Sequence, residues 1–277
     1  MAESRRVGAL GIIALAGVVL GAAAPAVRGS GSEPQETDPE LVMGQSIFEE
    51  LVKRAEVVES SPLYDTLLPV IEPILRTAQP QYPHPFKVYL VHEPAPNAFA
   101  TPGGNVYVTD ALLYFVKNRE QLAGTLCHEV AHTIHRDSME LLAKRERLAR
   151  AELGAAILLG PTRAHLLAIA LLGHLQSLGY SRDVEARADL TGSDVCAAGG
   201  SNPWGLVWLF REFKDSRETD VPQILSDHPN DQNRIDALER HFRENPSVFG
   251  KFDANPASAT QLTVPKKAPE VFSARQQ

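Results

Sequence analysis

The sequence predicts an α+β fold, mainly helical with one small β-sheet, on three observations. Alternating segments rich in β-formers are confined to Lys87–Glu93 and the start of Asn105–Leu113. From Asn118 onward the apolar residues recur at helical spacing. Hydrophobic residues make up 44% of 277, enough for a sizeable core. The net charge is −7 with no basic block. Phosphate binding needs clustered Lys and Arg, so nucleic acid is not expected as a partner.

Residues 1–26 read as a signal peptide: Arg5 and Arg6, an uncharged run Val7–Val27, and the small-residue triplet Ala24-Pro25-Ala26. The alternative is an uncleaved anchor, since about 20 apolar residues span a bilayer. No cysteine follows to carry a lipid. Cleavage removes Arg5, Arg6 and Glu3, which takes the net charge from −7 to −8. Residues 27–37 form a linker. Asp38 with Pro39 opens a helix whose stripe Leu41, Ile47, Phe48, Leu51 and Val52 runs within 38–60. A second helix covers 62–78, and Gln79–Phe86 is too proline-rich to be regular. Lys87–Glu93 is a strand, 94–104 a loop, and Asn105–Leu113 a strand that turns helical near Asp110. Asn118 and Gln121 resemble a capping box for a helix over 119–136. Another follows over 138–157. Ala151–Tyr180 is strongly apolar but broken at Gly160-Pro161 and Arg163, so it reads as buried core helices, with contact to a membrane surface as the alternative. Ser181–Cys196, a segment from Trp204 and 231–243 are helical, Ser226–Asp231 is a loop, and 245–277 reads as a disordered tail.

The chemistry lies in "GTLCHEVAHTIHRD", Gly124–Asp137. On a helix, residues four apart point the same way, about 6 Å along the axis. His128 and His132 can then reach one zinc, with Glu129 beside them near a zinc-bound water, the metalloprotease spacing. Chance also produces this pattern, and His135 is a decoy or an outer group. Catalytic zinc takes a third protein ligand. Glu185 and Asp189, one turn apart on the next helix but one, could supply it and a carboxylate behind a ligand imidazole. Without the histidine pair they would read as two solvated acids. Cys196 lies eleven residues after Glu185, about 16 Å of helix, and a disulfide needs Cα atoms within about 7 Å. Cys127 and Cys196 are therefore expected as buried free thiols.

Four blocks, Asn97–Leu113, "HEVAH" (His128–His132), "YSRDVEARAD" (Tyr180–Asp189) and "DHPNDQNRI" (Asp227–Ile235), resemble in order and spacing the family of the CAAX-prenyl endopeptidases and the HtpX proteases, over roughly 40–243. The resemblance implies a zincin-type (gluzincin) metallopeptidase core over 38–244 with an active-site helix and an edge strand. It further implies one Zn2+ on His128, His132 and Glu185, Glu129 as catalytic base, and Asp189 behind a ligand histidine. Arg187 stands where the family often has Glu, and should face away from the metal. With neither multiple membrane spans nor room for a C-terminal helical-repeat domain, the chain looks like the compact, exported bacterial branch, close to the catalytic part of the β-barrel-assembly-enhancing protease.

The implied function is a periplasmic or otherwise exported zinc endopeptidase, with Glu129 assisting a zinc-bound water, acting on unfolded or outer-membrane polypeptides. Asn97, Ala98, Phe99, Gly103 and Gly104 would present an edge strand that takes up substrate by strand addition, or make a plain hairpin turn. His228 and Arg234 are candidates for oxyanion stabilisation. Alternatively, Arg234 pairs with Asp227 or Asp231, and His228 closes the open zinc position in a latent enzyme. Two rival readings stand beside this one: a zinc-bound chaperone-like module that binds unfolded chains without cutting, and a helical structural protein with a fortuitous motif.

Overall fold

A helix that ends at Lys53, where a longer one was expected, sets the first corner of the fold. The computed structural model describes residues 38–153, 180–215 and 232–266, together with Ala170 and Gly173. Helix α1 (Pro39–Lys53) starts at Asp38, whose Oδ1 accepts from Glu40 N at 2.8 Å. It buries Met43, Ile47 and Leu51 and leaves Val52 exposed. Ala55 then takes a positive φ, 58°, and Val57–Val58 becomes strand β1. β-Branched valines pair with a sheet more readily than they extend a helix. Helix α2 (Tyr64–Ala78) follows and buries Leu67, Val70, Ile71, Ile74 and Leu75.

Strands β2 (Lys87–Val91), β3 (Ala98–Thr101) and β4 (Asn105–Thr109) complete a mixed sheet of order β1-β2-β4-β3. β2 and β4 are parallel; β1 pairs with β2, and β3 with β4, antiparallel. β3 lies inside the stretch 94–104 read as a loop, and it is the edge. Leu90, Ala98, Val106 and Val108 face the main core with α2 and the helix that follows the sheet. Phe99 and Tyr107 face α1, where Met43, Ile47 and Leu51 cover them.

β4 runs into α3 (Asp110–Phe115), capped by Thr109. Helix α4 (Arg119–His135) is capped by Asn118, whose side chain accepts from Gln121 N at 2.8 Å, while Gln121 Oε1 accepts from Lys117 N at 2.7 Å. Every residue from Gln121 to Thr133 is buried, which makes α4 the central rod of the domain. It ends at Arg136, in the left-handed region at φ 57°, and α5 (Asp137–Leu153) starts immediately. Helices α6 (Arg182–Ala198), α7 (Trp204–Asp215), α8 (Gln232–Glu244) and the short α9 (Pro246–Phe249) follow.

α6 lies along α4 so closely that a Cβ on Gly192 would sit 2.9 Å from the Cys127 carbonyl oxygen. This contact corrects the expectation of free thiols: Cys127 and Cys196 form a disulfide, with Cα atoms 5.8 Å apart. The axial offset of Cys196 from Glu185 is real. However, Glu185 reaches His132 whereas Cys196 Sγ reaches Ala123 O, so contacts move back along α4 as they advance along α6.

The expected disordered tail is a second correction. Phe249 is buried, and Phe252, Leu262 and Val264 pack against the main core. Thr66 Oγ1 donates to Thr263 O at 2.8 Å, and Arg119 N donates to Thr260 O at 2.9 Å. The second bond satisfies one of the orphan donors at the start of α4. Residues 1–37, read as signal peptide and linker, lie outside the described residues, as do 267–277 and most of 151–180. Among the described residues no helix is long and apolar enough to cross a membrane.

The disulfide closes a loop of sequence separation 69 between two helices. Its removal in a Cys127→Ala/Cys196→Ala variant is expected to cost about 4 kcal/mol, the entropy of that loop in the unfolded chain. Urea unfolding with and without reductant measures it: the wild type should fall towards the variant on reduction, and the variant should not respond.

Candidate metal centre

The centre is assembled by three helices. Thirteen buried positions in a row hold α4 in place, so His128 and His132 project together from one face. α6 crosses that face and brings in Glu185 and Asp189, one turn apart. α5, leaving the tight turn at Arg136, brings Asp137 back beneath His132.

His128 Nε2 and His132 Nε2 lie 3.0 Å apart. Glu185 Oε2 is 3.3 Å from the first, and Glu185 Oε1 is 3.8 Å from the second. The ligand atoms of His128, His132 and Glu185 all fall within 4.8 Å of one another, and all three residues are buried. Four tetrahedral ligands at about 2.0–2.1 Å from zinc stand about 3.4 Å from each other, so these separations suit such an ion.

The far sides of the rings argue the same way. His128 Nδ1 lies 3.0 Å from Asp189 Oδ1, and His132 Nδ1 lies 2.8 Å from Asp137 Oδ2. A carboxylate on Nδ1 draws the ring proton there and leaves Nε2 as a lone pair. Two lone pairs and an anionic oxygen then face a common point. Around it Glu129, Asp137, Glu185 and Asp189 are each at most 2% exposed. Two guanidinium groups, Arg234 and the half-exposed Arg187, answer these four carboxylates. Among the described residues two negative charges then remain, which suits a divalent cation, since buried charge needs a partner.

The electrostatics respond accordingly. Burial alone would lower the His128 imidazole; the Asp189 and Glu185 carboxylates overcome this and hold it up at about 10. Burial pushes Asp189 up, but Arg234 and His128 prevail and keep it below the usual carboxylate range. Asp137 is raised by burial, with Arg187 opposing.

Arg234 sits 5% exposed behind the site. Its Nε and Nη2 hold Asp189 Oδ2 and Oδ1 at 2.7 Å each, Nη1 lies 3.1 Å from Glu185 Oε2, and the guanidinium stacks over Phe210 at 4.6 Å. This placement departs from the expected oxyanion role. Its planar fork is engaged by the two acids of α6, so it positions them instead of meeting the reacting atoms. His228, Asp227 and Asp231 lie outside the described residues. His135 bonds Thr191 Oγ1 at 2.8 Å, away from the centre.

Ala100 N donates to Glu129 Oε2 at 3.1 Å, which fixes the carboxylate against the edge strand. The pleat sets which strand residues face it. Asn97 O accepts from Thr109 N, so Asn97, Phe99 and Thr101 turn their backbone groups to β4, and Ala98 and Ala100 turn theirs outward. Of the expected substrate set, Asn97 is pinned to Thr109, and Phe99 stacks on Tyr107 at 5.0 Å. Gly103 and Gly104, both at φ 81°, make the hairpin turn against α1 and Pro85. Of the described residues of β3, Ala98 and Ala100 are the ones whose backbone groups turn away from β4.

Three further groups escaped the sequence reading. Asp137 lies beyond the end of α4, where helical periodicity gives no direction. Tyr180 stacks on His132 with centroids 4.4 Å apart. Ser138 joins the Tyr180 hydroxyl, at 2.9 Å, to the carbonyl of Ala100, at 3.4 Å.

The chain matches the model of peptidase family M48 over residues 65–241. It is 31% identical over 165 residues to the mitochondrial metalloendopeptidase OMA1 of Schizosaccharomyces pombe, covering 57% of this chain and 47% of that protein. To the beta-barrel assembly-enhancing protease of Escherichia coli K12 it is 29% identical over 175 residues, 59% of this chain and 36% of that one. To the mitochondrial metalloendopeptidase OMA1 of Danio rerio it is 30% identical over 178 residues, 58% of this chain and 36% of that one. The chain thus spans less than half the length of these relatives. The family match covers more than half of the chain and includes both histidines and both acids of the centre: the chain belongs to peptidase family M48.

Proposed function

We propose that the chain is an exported zinc-dependent endopeptidase that cleaves unfolded or misassembled polypeptides. The observation that carries this reading is the pair of Nε2 atoms 3.0 Å apart, each backed by a carboxylate and joined by Glu185. His128, His132 and Glu185 would hold the zinc, which when bound supplies Lewis acidity that polarises a carbonyl and acidifies water. Glu129 takes the proton of the attacking water and passes it to the leaving amine. Its bond to Ala100 N supports this role, because it sets the carboxylate where a peptide laid along β3 would pass. Such a peptide pairs with the outward groups of Ala98 and with the Ala100 carbonyl, the Ala100 amide being held by Glu129, so recognition rests on backbone and favours extended, unfolded chains. Arg234 and Asp189 orient Glu185 and His128. His228 is proposed as the further group of the site, as an oxyanion donor or as a latency ligand. Export rests on the pattern of residues 1–26. The similarity to the beta-barrel assembly-enhancing protease supports outer-membrane polypeptides as the substrate class and the compact exported branch as the place within the family.

Metal analysis should find about one zinc per wild-type chain and little in His132→Ala. The wild type should degrade casein and Glu129→Gln should not, falling by at least about a hundredfold. Equal turnover in the two, or none in either, assigns the chain to the non-cutting zinc-bound module.

Zinc uptake should also be linked to protons. In the metal-free protein the His128 imidazole is held at about 10, above the ordinary value of about 6.5. That proton therefore contributes stability fully present below about pH 6.5 and lost as pH rises through about 10. Zinc must displace it, so between about pH 7 and 9 binding should release about one proton and tighten with pH. Calorimetry in two buffers of different ionisation enthalpy reads the release directly; an uptake independent of buffer contradicts it.

Arg234→Met should lower the stability of the metal-free protein by about 3–5 kcal/mol, because Asp189 and Glu185 stay buried without their counter-charge. Urea unfolding gives the value, and saturating zinc should recover part of it.

A further inference from the structure

The two ligand histidines are held in matching ways. Behind His128 stands Asp189, and behind Asp189 stands Arg234. Behind His132 stands Asp137, and on the other oxygen of Asp137 stands Arg187. We propose that Arg187 is a positioning residue for the His132 half of the centre, and that its clamp on Asp137 sets how tightly the site holds zinc. This inference rests on the zinc reading above.

Arg187 is two residues from Glu185 and two from Asp189, so its Cα direction points away from the ligand face of α6. Its long side chain nevertheless returns along the start of α5. Nη2 bonds Asp137 Oδ1 and lies 3.7 Å from Glu140 Oε2. The guanidinium thus meets the carboxylate that stands behind His132. Asp137 has one oxygen on His132 and the other on Arg187, and its side chain is 1% exposed. With both oxygens engaged, the carboxylate cannot turn about its Cβ–Cγ bond. The imidazole is then fixed at one edge by Asp137 and on one face by Tyr180. Losing the guanidinium frees Asp137 Oδ1, and the ring that depends on it loses its aim at the common point. Outer groups of this kind typically change metal affinity 10- to 100-fold.

The two clamps differ in exposure. The Arg234 side chain is 5% exposed and the Arg187 side chain 43%. Solvent and salt reach the second clamp and not the first. It also couples the helix that carries Glu185 to the segment that follows His132, so one exposed contact bears on two ligands.

The test is competition for zinc against a fluorescent chelator at low and high salt, with wild type, Arg187→Gln, Arg187→Lys and Arg187→Met. The Gln variant, whose amide can still donate to Asp137, should bind zinc about tenfold more weakly at low salt while its metal-free form stays folded at the assay temperature, melting below the wild type because Asp137 is buried. Wild-type affinity should weaken with salt towards that of the Gln variant, whose own affinity changes less. Lys should recover part of the affinity and of the salt dependence. Where the Gln variant melts below the assay temperature, the Met variant, which keeps the packing of the stem, replaces it. Wild-type affinity in the Gln or Met variant overturns the role of Arg187 alone. A wild type that takes up no zinc overturns the zinc reading and this inference together.

Discussion

Two imidazole nitrogens 3.0 Å apart, each with its opposite nitrogen against a carboxylate, form the constraint on which the rest of the domain depends. A ring cannot relieve the contact by moving its proton to the inner nitrogen without giving up its bond to Asp189 or Asp137. Rotation is blocked by burial and, for His132, by the stacked Tyr180. Glu185 adds a third acceptor. Left to itself this arrangement repels, and positive charge at its centre turns each repulsion into an attraction. The raised His128 is the same demand met by a proton.

Holding such a group together falls to the packing of α4 against α6. Gly192 lets the two backbones meet, since even a methyl group there would press on the Cys127 carbonyl and the His128 Cα. The disulfide one turn on, from the residue beside His128 to the end of α6, keeps the helices from parting. Arg234 then neutralises the acids of α6 from behind, in a place where an unpaired carboxylate would oppose folding. The cluster of His128, His132 and Glu185 is thus rigid for three independent reasons: volume, covalent connection and charge.

What the sequence made legible was local. His128, Glu129 and His132 share one helix, and so do Glu185 and Asp189, so the period of 3.6 places each set correctly. That the two sets meet came from resemblance, because no periodicity carries it. The failures are non-local too. The cysteine pair was misjudged because distance along one helix says nothing about a neighbour running the other way. The tail was misjudged because its anchors, Phe249, Phe252, Leu262 and Val264, follow no period. On β3 the outward parity belongs to Ala98 and Ala100 because β4 takes the odd residues, a choice made by the partner strand. Asp137 was invisible for a subtler reason, which lies in the turn before it.

That turn is made by Arg136, at φ 57° and ψ 34°, a conformation glycine adopts at far less cost. A glycine would make the reversal but would carry no side chain. Arg136 Nε donates to Glu40 Oε2 at 2.6 Å, and the Tyr82 hydroxyl donates to the same carboxylate group. Glu40 is 2% exposed and belongs to the first turn of α1. The strained residue is therefore held by a buried acid from the helix that covers the opposite face of the sheet. The cost of a left-handed non-glycine residue is of order 1 kcal/mol, and a charge-assisted bond in a buried place outweighs it. The result is a chain reversal within one residue. It sets Asp137 under His132 and Ser138 against Ala100, so one turn joins the histidine pair of α4 to the edge strand β3.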